Sequence, residues 1–592
     1  MKNMKSLRAC ARGVAGSICL SLPLICGLHA AMPVMLNPSI PAPAPVGLIV
    51  TWTATVPDSS PGTLAYRFSS RQVGADMLVV RDYGPQNTLN WTASEQEGLY
   101  EIEVSVINRD TGESASASQM YQVVSRVVDG TPVISETANP LVSLYSAPEC
   151  PAGSRMRVQF RSPEGFVQYT SYKACQPGGS MNFYLAGMRA ETEYTVTHIV
   201  DGADSSVKGP ELKLATPAVS YKGADYTVLK PPADAANGIL LQSTFGDPVA
   251  TDLYGNLVWF YQGGITFLTR PQAGGYFFGI LEDPAADPSG EVLREFDLAG
   301  TTLRETNAAQ INVQLAALGQ PPITAFHHEV RGLPDGSILA LAATEKILTD
   351  VQGPGDVDVL GDMILVLDRN LQVVWAWNAF DHLDPRRMAV LGETCNQSAG
   401  GCPPLRLAQQ ANDWLHGNAL QLTGDGSILY SIRHQDWVIK IDYHNGQGSG
   451  DIIWRLGNGG DFQIVSSQPS PWFSHQHDVN FTPGDATTLT LFDNGNVRRF
   501  EDGNAHSRGQ ALHLDEAQRL ATVILSAELG DYSAALGSAQ RLPDGNYHFN
   551  VGFIQRGSSK SVEVDSSANM VYAVALDAPL YRSFRMGDLY TP

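Results

Sequence analysis

Three histidines and one arginine, far apart in a chain of 592 residues, are the side chains best suited to chemistry. His327 stands in Phe326-His327-His328-Glu329-Val330, His416 in Trp414-Leu415-His416-Gly417-Asn418, and His477 in Ser474-His475-Gln476-His477-Asp478. Each opens a short apolar–polar run that leads to a turn, so the three sit at matching places in separate hairpins. Arg433 comes one hairpin after His416. An arginine stays cationic and can fork two oxygens of an anion. An imidazole can donate a hydrogen bond, carry a proton or act as a nucleophile. Such a set would make a pocket for a small anion. Aligning the hairpins through Leu333 and Leu422 sets His327, rather than His328, level with His416. Strand alternation turns His434 and His475 away from the same face, which gives them structural roles.

The elements that must position these residues are hairpins. The stretch Asp413 to Asp442 shows the pattern: an apolar–polar strand, the turn Gly424-Asp425-Gly426, a second strand with Arg433, and a third through Val438-Ile439-Lys440-Ile441. Asp-Gly between alternating runs is a strong hairpin signal. The inner hairpin recurs at Leu333-Pro334-Asp335-Gly336 and Leu542-Pro543-Asp544-Gly545. A closing piece recurs at Asp252 to Trp259 and Asp368 to Trp375, and more loosely at Asp451 to Trp454 and Asp565 to Tyr572. Internal similarity every few tens of residues, with several strands per unit, predicts a β-propeller. Counting hairpins gives six blades, beginning near Gly238, Gly274, His327, His416, His477 and Ala534. The segments Ile347–Asp362 and Asp381–Trp414 read as loops inserted over one face. The first strand of each propeller blade lines the central channel, so the histidines and the arginine would converge there.

Ahead of this the sequence predicts one or two small sandwiches of the immunoglobulin or fibronectin-III kind. The strands Leu48 to Ala54 and Leu99 to Val106 belong to residues 32–126. Thr192 to Thr197, a tyrosine-bearing strand, belongs to residues 127–217. The expected architecture is therefore all-β, with the propeller over residues 218–592. Neither sandwich carries a cluster of ionisable residues, which leaves them support, docking or the formation of a homodimer.

Residues 1–31 read as an export signal, with Lys2, Lys5, Arg8 and Arg12 ahead of a short apolar run from Val14 to Cys26. That run is too short to span a bilayer, and no later stretch is suited to membrane insertion. The expected location is periplasmic or secreted. Cys150, Cys175, Cys395 and Cys402 lie outside the signal, and their proximity favours the pairs Cys150–Cys175 and Cys395–Cys402. A net charge of −21 argues against nucleic acid or an anionic membrane as partner.

The His416 strand, Ser431-Ile432-Arg433-His434-Gln435, Trp454-Arg455-Leu456-Gly457, Gln476-His477 and Leu491-Phe492-Asp493-Asn494-Gly495 together resemble the bacterial aryl-sulfate sulfotransferases. The resemblance is closest from His327 to Arg499. It implies transfer of a sulfuryl group from an aryl sulfate to a phenol, with no nucleotide donor and neither cofactor nor metal. It implies His477 as the residue that becomes sulfated, and His416, Arg433 and His327 as the residues that hold the sulfuryl oxygens. The physical account agrees: the transferred group develops charge on its oxygens and on the departing phenolate, so positioning and charge stabilisation dominate. Trp414, Trp472 and Phe473 could stack on the aryl rings or simply pack the sheets. Two readings compete. One is a metal-dependent lyase or hydrolase with His327, His416 and His477 as ligands, against which Arg433 would repel the cation. The other is a non-catalytic binding propeller.

Overall fold

Buried β-branched and aromatic runs between Asp-Gly turns make the hairpins. In Ile428–Ile432 every residue is buried, and the strand pairs with Gly417–Leu422 on one side and Trp437–Ile441 on the other. The turn between the first two is tied by Asp425, whose Oδ1 accepts from the Ser427 amide at 3.2 Å, while Gly426 takes φ +83°. The same device recurs with Asp335 and Gly336 (φ +85°) and with Asp544 and Gly545 (φ +92°). A residue with a Cβ would be strained there. The closing pieces share a second device. Asp252, Asp368 and Asp565 each accept, through Oδ1, the amides two and four residues on. The repeats seen in the sequence are thus repeats of side-chain-tied turns.

The computed structural model describes residues 32–57, 62–233, 238–397 and 400–592; the expected export signal lies outside them. The fold is all-β. Among the described residues, six sheets each contain a four-stranded antiparallel unit. Their first strands are Leu580–Met586, Phe267–Gln272, Ala325–Gly332, Gly417–Leu422, His477–Thr482 and Ser538–Arg541. Each of these strands contacts the next, and the sixth contacts the first, so the order closes on itself. This is the connectivity that a six-bladed ring requires. Closure is doubled. Leu580–Met586 joins the first sheet beside Ile239–Thr244, and Tyr226–Lys230 adds an outer strand to the last sheet beside Met570–Leu576.

Before residue 218 lie two further pairs of sheets. In the first, Met35–Pro38, Val50–Thr55 and Thr88–Trp91 face Leu64–Gln72, Gly98–Asn108 and Ser114–Val124 around a core that includes Trp52, Phe68 and Tyr121. In the second, a sheet with Ser143–Ala147 packs on one with Arg155–Arg161 and Glu193–Asp201. That second core is continuous with the first four-stranded sheet through Trp259 and Phe584. Disulfides join Cys150 to Cys175 and Cys395 to Cys402, the pairs that proximity favoured. Among the described residues no helix is long and apolar enough to cross a membrane.

Two expectations need correction. Ile347–Asp362 is no loop: Ile338–Thr349 pairs with Asp356–Leu367 along the whole length of both, a long hairpin rising above its sheet. The second sheet opens at Phe267–Gln272, before Gly274. Gly274 falls in the turn that follows this strand, and that turn lacks the Asp-Gly mark. The segment 381–414 ends in the small hairpin Thr394–Asn396 and Gln410–Asp413, which docks in parallel on Val359 and Leu360. Trp414 is buried in a core cluster with its Nε1 donating to the Arg387 carbonyl at 2.8 Å. Phe473 is buried too, and Trp472 packs against its cluster.

Candidate active site

His416 and His328 meet where two neighbouring first strands lose their regular register. The ladder of Ala325–Gly332 skips between Phe326 and Val330, and that of Gly417–Leu422 skips between Gly417 and Ala419. Such bulges re-aim side chains. His328 and His416 both take left-handed φ, 56° and 53°, a strain that tends to gather at functional positions. Their rings lie 4.8 Å apart. His327 turns the other way, with Nδ1 at 2.9 Å from His328 Nδ1 and Nε2 at 3.1 Å from Asp362 Oδ1. Both histidines of the pair line the same cavity, of about 650 Å³, together with His416, Asp362 and Asp413.

Asp413 sits behind His416, its Oδ2 at 2.7 Å from His416 Nδ1. The carboxylate holds that nitrogen protonated and turns Nε2 outward. On its other side the His416 ring lies 4.6 Å from that of His434. His434 therefore belongs to the cluster, contrary to the alternation argument. The chain leaves its strand at Ile432, and Arg433–Gln435 form one 3-10 turn in which alternation no longer holds. Arg433 hydrogen-bonds His434 Nε2 through Nη1 and donates from Nη2 to the Ala534 carbonyl at 3.1 Å. Its Nε is buried with no partner among the described residues. Burial depresses the Arg433 guanidinium, against the pull of Asp413 and Glu393.

His477 is 2 % exposed. Its Nδ1 is 2.7 Å from Asn494 Oδ1. The orientation of that amide is fixed, because Asn494 Nδ2 donates to the Ser533 carbonyl at 2.9 Å and the Leu536 carbonyl at 3.1 Å. Oδ1 must therefore face His477 as an acceptor, the proton belongs on Nδ1, and Nε2 carries the lone pair. Burial first, and Arg433 second, hold the His477 pKa well below that of a free histidine, with Asn494 opposing. His328 and His434 are likewise held low, by burial and by neighbouring cations. His475 is different. Burial lowers its pKa, but Asp436 at 3.0 Å and Glu393 outweigh that and raise it. It is a buried ion-paired residue, as the structural role read from the sequence implied.

Below the histidines lies a buried ionic network. Arg582 donates to Glu329 at 3.1 Å, to the Thr269 carbonyl at 2.9 Å and to the Asn418 carbonyl at 2.7 Å. Arg270 joins Glu329 to Asp478, and Arg331 reaches Asn480. Tyr581 Oη donates to the His328 carbonyl at 2.5 Å. This network ties five of the six first strands together. Arg582 also adds to the positive field that keeps His328 and His477 neutral.

A metal finds little here. Asp413, His416 and His434 could bring one ligand atom each within 4.8 Å of one another. Both His434 nitrogens are engaged, Nδ1 with the Asp413 carbonyl at 2.7 Å and Nε2 with the Arg433 guanidinium. A divalent ion there would sit against an arginine. The donor set suits an anion better.

The structure links His416 to Arg433 through His434, places His477 within electrostatic reach of both, and sets His327 at the cavity wall with His328 between it and His416. Sequence reasoning weighed His328 and His434 and set them aside, and it did not single out Asp413 or Asn494. Asp413 opens the stretch that frames His416, and a carboxylate three residues before a candidate histidine was a usable signal. Asn494 lies within the quoted Asp493-Asn494-Gly495, but nothing local marked it as a partner of His477.

The profile of the family described as arylsulfotransferase (ASST) matches residues 226–581. The match begins at the strand that completes the last sheet, ends in the strand carrying Tyr581, and encloses every residue of the cluster except Arg582. The arylsulfate sulfotransferase AssT of Escherichia coli is 26% identical over 278 residues, covering 38% of this chain and 42% of that protein. The chain thus spans less than half the length of that relative. With the family profile covering more than half of its residues, this chain belongs to the arylsulfotransferase family.

Proposed function

We propose that this protein transfers a sulfuryl group from an aryl sulfate to a phenol through a sulfated His477, on a six-bladed propeller. The reading rests above all on one observation: a buried imidazole, His477, with Nδ1 tied to a fixed amide oxygen and the lone pair on Nε2, within electrostatic reach of Arg433. Nε2 attacks sulfur, and the S–O bond to the aryl group breaks. The leaving phenolate takes a proton from His416 Nε2, while Nδ1 stays hydrogen-bonded to Asp413. The Nδ1 proton stays on His477, so the sulfated ring is an imidazolium and a better leaving group than a neutral ring would be. In the second half, His416 takes the acceptor phenol's proton, the phenolate oxygen attacks sulfur, and His477 is regenerated neutral. Arg433 has N–H groups left to meet the sulfuryl oxygens, and His328 and His327 complete that wall. A fixed set of donors suits a planar SO3-like centre whose oxygens carry the charge.

Export to an oxidising compartment fits the N-terminal signal pattern and the two disulfides. We assign residues 32–126 and 127–217 to two supporting sandwich domains and 218–592 to the catalytic one. The test is to mix protein with an aryl sulfate in the absence of acceptor and weigh it intact. A sulfuryl adduct that maps to His477, is absent from His477→Asn and is discharged by added phenol is expected. Turnover with no adduct on any histidine would overturn the covalent route, and no transfer at all would overturn the function.

A further inference from the structure

The cavity has two ends of unlike chemistry. One is the histidine wall. The other is the loop between strands Tyr276–Leu281 and Val292–Asp297, which faces the segment following Cys402. Glu282, Asp283 and Glu291 line this end, with Arg406 across from them. Asp283 is spent on its own turn, accepting the Ala285 amide at 2.9 Å and the Asp287 amide at 3.2 Å. Arg406 is exposed and donates to the Ala286 carbonyl, which pins the two loops together.

Glu291 is unlike its neighbours. It is 1 % exposed. Its Oε1 accepts the Asp283 amide at 3.0 Å. Its Oε2 is shielded from solvent and has no hydrogen-bond partner among the described residues. Leaving a carboxylate oxygen in that state costs about 1–3 kcal/mol. Burial, with Glu282 and Asp283 adding to it, pushes the Glu291 pKa up to about 7, against the Asp283 amide and Arg406. An incoming cation would relieve both penalties. Glu282 lines the same cavity as this carboxyl and the histidines, close enough to His327 to feel its charge.

We propose that the 282–291 loop is a subsite for the part of the substrate remote from the reacting oxygen. It selects phenols bearing a protonated amine, which Glu291 meets through Oε2 and Glu282 supports. The sulfuryl end then sits against the histidines and Arg433, and the ammonium end against the carboxylates. The assignment to transfer rests on the proposed function; the assignment of the binding does not.

The experiment compares 4-(2-aminoethyl)phenol with 4-ethylphenol as acceptors at pH 7.5, with one aryl sulfate donor. The ratio of their kcat/KM values is read in wild type, Glu291→Gln and Glu282→Gln. A ratio cancels any loss of folded enzyme. The amine should be favoured by about tenfold in wild type, and Glu291→Gln should bring the ratio close to one. A wild-type ratio near one, or a preference that survives both substitutions, overturns the proposal. Should no transfer occur with any acceptor, calorimetric binding of the same two phenols separates the claims. Tighter binding of the amine that Glu291→Gln abolishes supports the subsite while the reaction falls; equal binding of both phenols to wild type sinks the subsite.

Discussion

The tie between Asn494 and His477 gives the sharpest test of the proposed chemistry. Asn494 is fully buried and accepts at 2.7 Å from an imidazole that must keep Nε2 unprotonated. Asn494→Leu removes the acceptor and strands the Ser533 and Leu536 carbonyls. Losing one buried hydrogen bond costs about 1–3 kcal/mol, or roughly five- to 150-fold in rate. Loss of tautomer control adds to this, and in a serine protease triad that effect reaches about 10⁴. We expect kcat/KM to fall by about 10² to 10⁴. Asn494→Asp is the more discriminating change. It retains an acceptor but places a carboxylate against Nδ1, which raises the His477 pKa from its depressed native position. A histidine with a raised pKa is protonated, and unable to attack, at every pH below that value. The wild-type acid limb should therefore lie far below pH 6.5, and that of Asn494→Asp should move upward, with activity recovering as pH rises. The assay is kcat/KM for 4-nitrophenyl sulfate with phenol from pH 5 to 9, with the melting temperature followed in parallel. A folded Asn494→Leu with wild-type activity, or an Asn494→Asp profile superimposable on wild type, would refute the reasoning.

Three further outcomes are expected. Arg433→Lys keeps the charge but loses the fork, and kcat/KM should fall by about 10² to 10³; a loss within about threefold would remove Arg433 from sulfuryl binding. Asp413→Asn weakens the support for a protonated His416, so the rate loss should be larger for phenyl sulfate, whose leaving group needs a proton, than for 4-nitrophenyl sulfate; equal losses would argue against His416 as the acid. His328 is buried neutral, so the unfolded chain binds a proton that the folded chain refuses below about pH 6.5, and acid costs up to about 1.4 kcal/mol per pH unit for such a residue. Calorimetry should thus show His328→Asn gaining stability relative to wild type as pH drops from 7 to 5; a pH-independent difference would contradict this.

What the sequence revealed was mostly what is local. The turn devices at Asp335-Gly336, Asp425-Gly426 and Asp544-Gly545 are carried by adjacent residues, so the hairpins and their repeat could be read directly. The choice between His327 and His328 could not. It turns on bulges in both first strands, and a bulge changes which way a side chain points without changing spacing to the next turn. His434 escaped for the same reason, since a single 3-10 turn interrupts the strand at Arg433. Asn494 needed tertiary information: its amide is oriented by carbonyls of residues 533 and 536, and no local pattern encodes that. The extension of Ile338–Thr349 and Asp356–Leu367 reads as a loop in the sequence because its Gly- and Asp-rich tip dominates the composition of the segment.

The strand Leu580–Met586 is threaded between the first and last sheets, although the other first strands and the residues lining the cavity all precede it in the sequence. It carries Tyr581 and Arg582, which hold His328 and bind four separate strands to one another. On the proposed chemistry, the site depends on a strand that comes after every residue assigned to react. A polypeptide lacking that seven-residue segment would leave Glu329 and Asp478 short of a counterion and the circle of sheets open. On the proposed chemistry, a chain without this strand should lose transfer activity while keeping every residue proposed to touch the sulfuryl group.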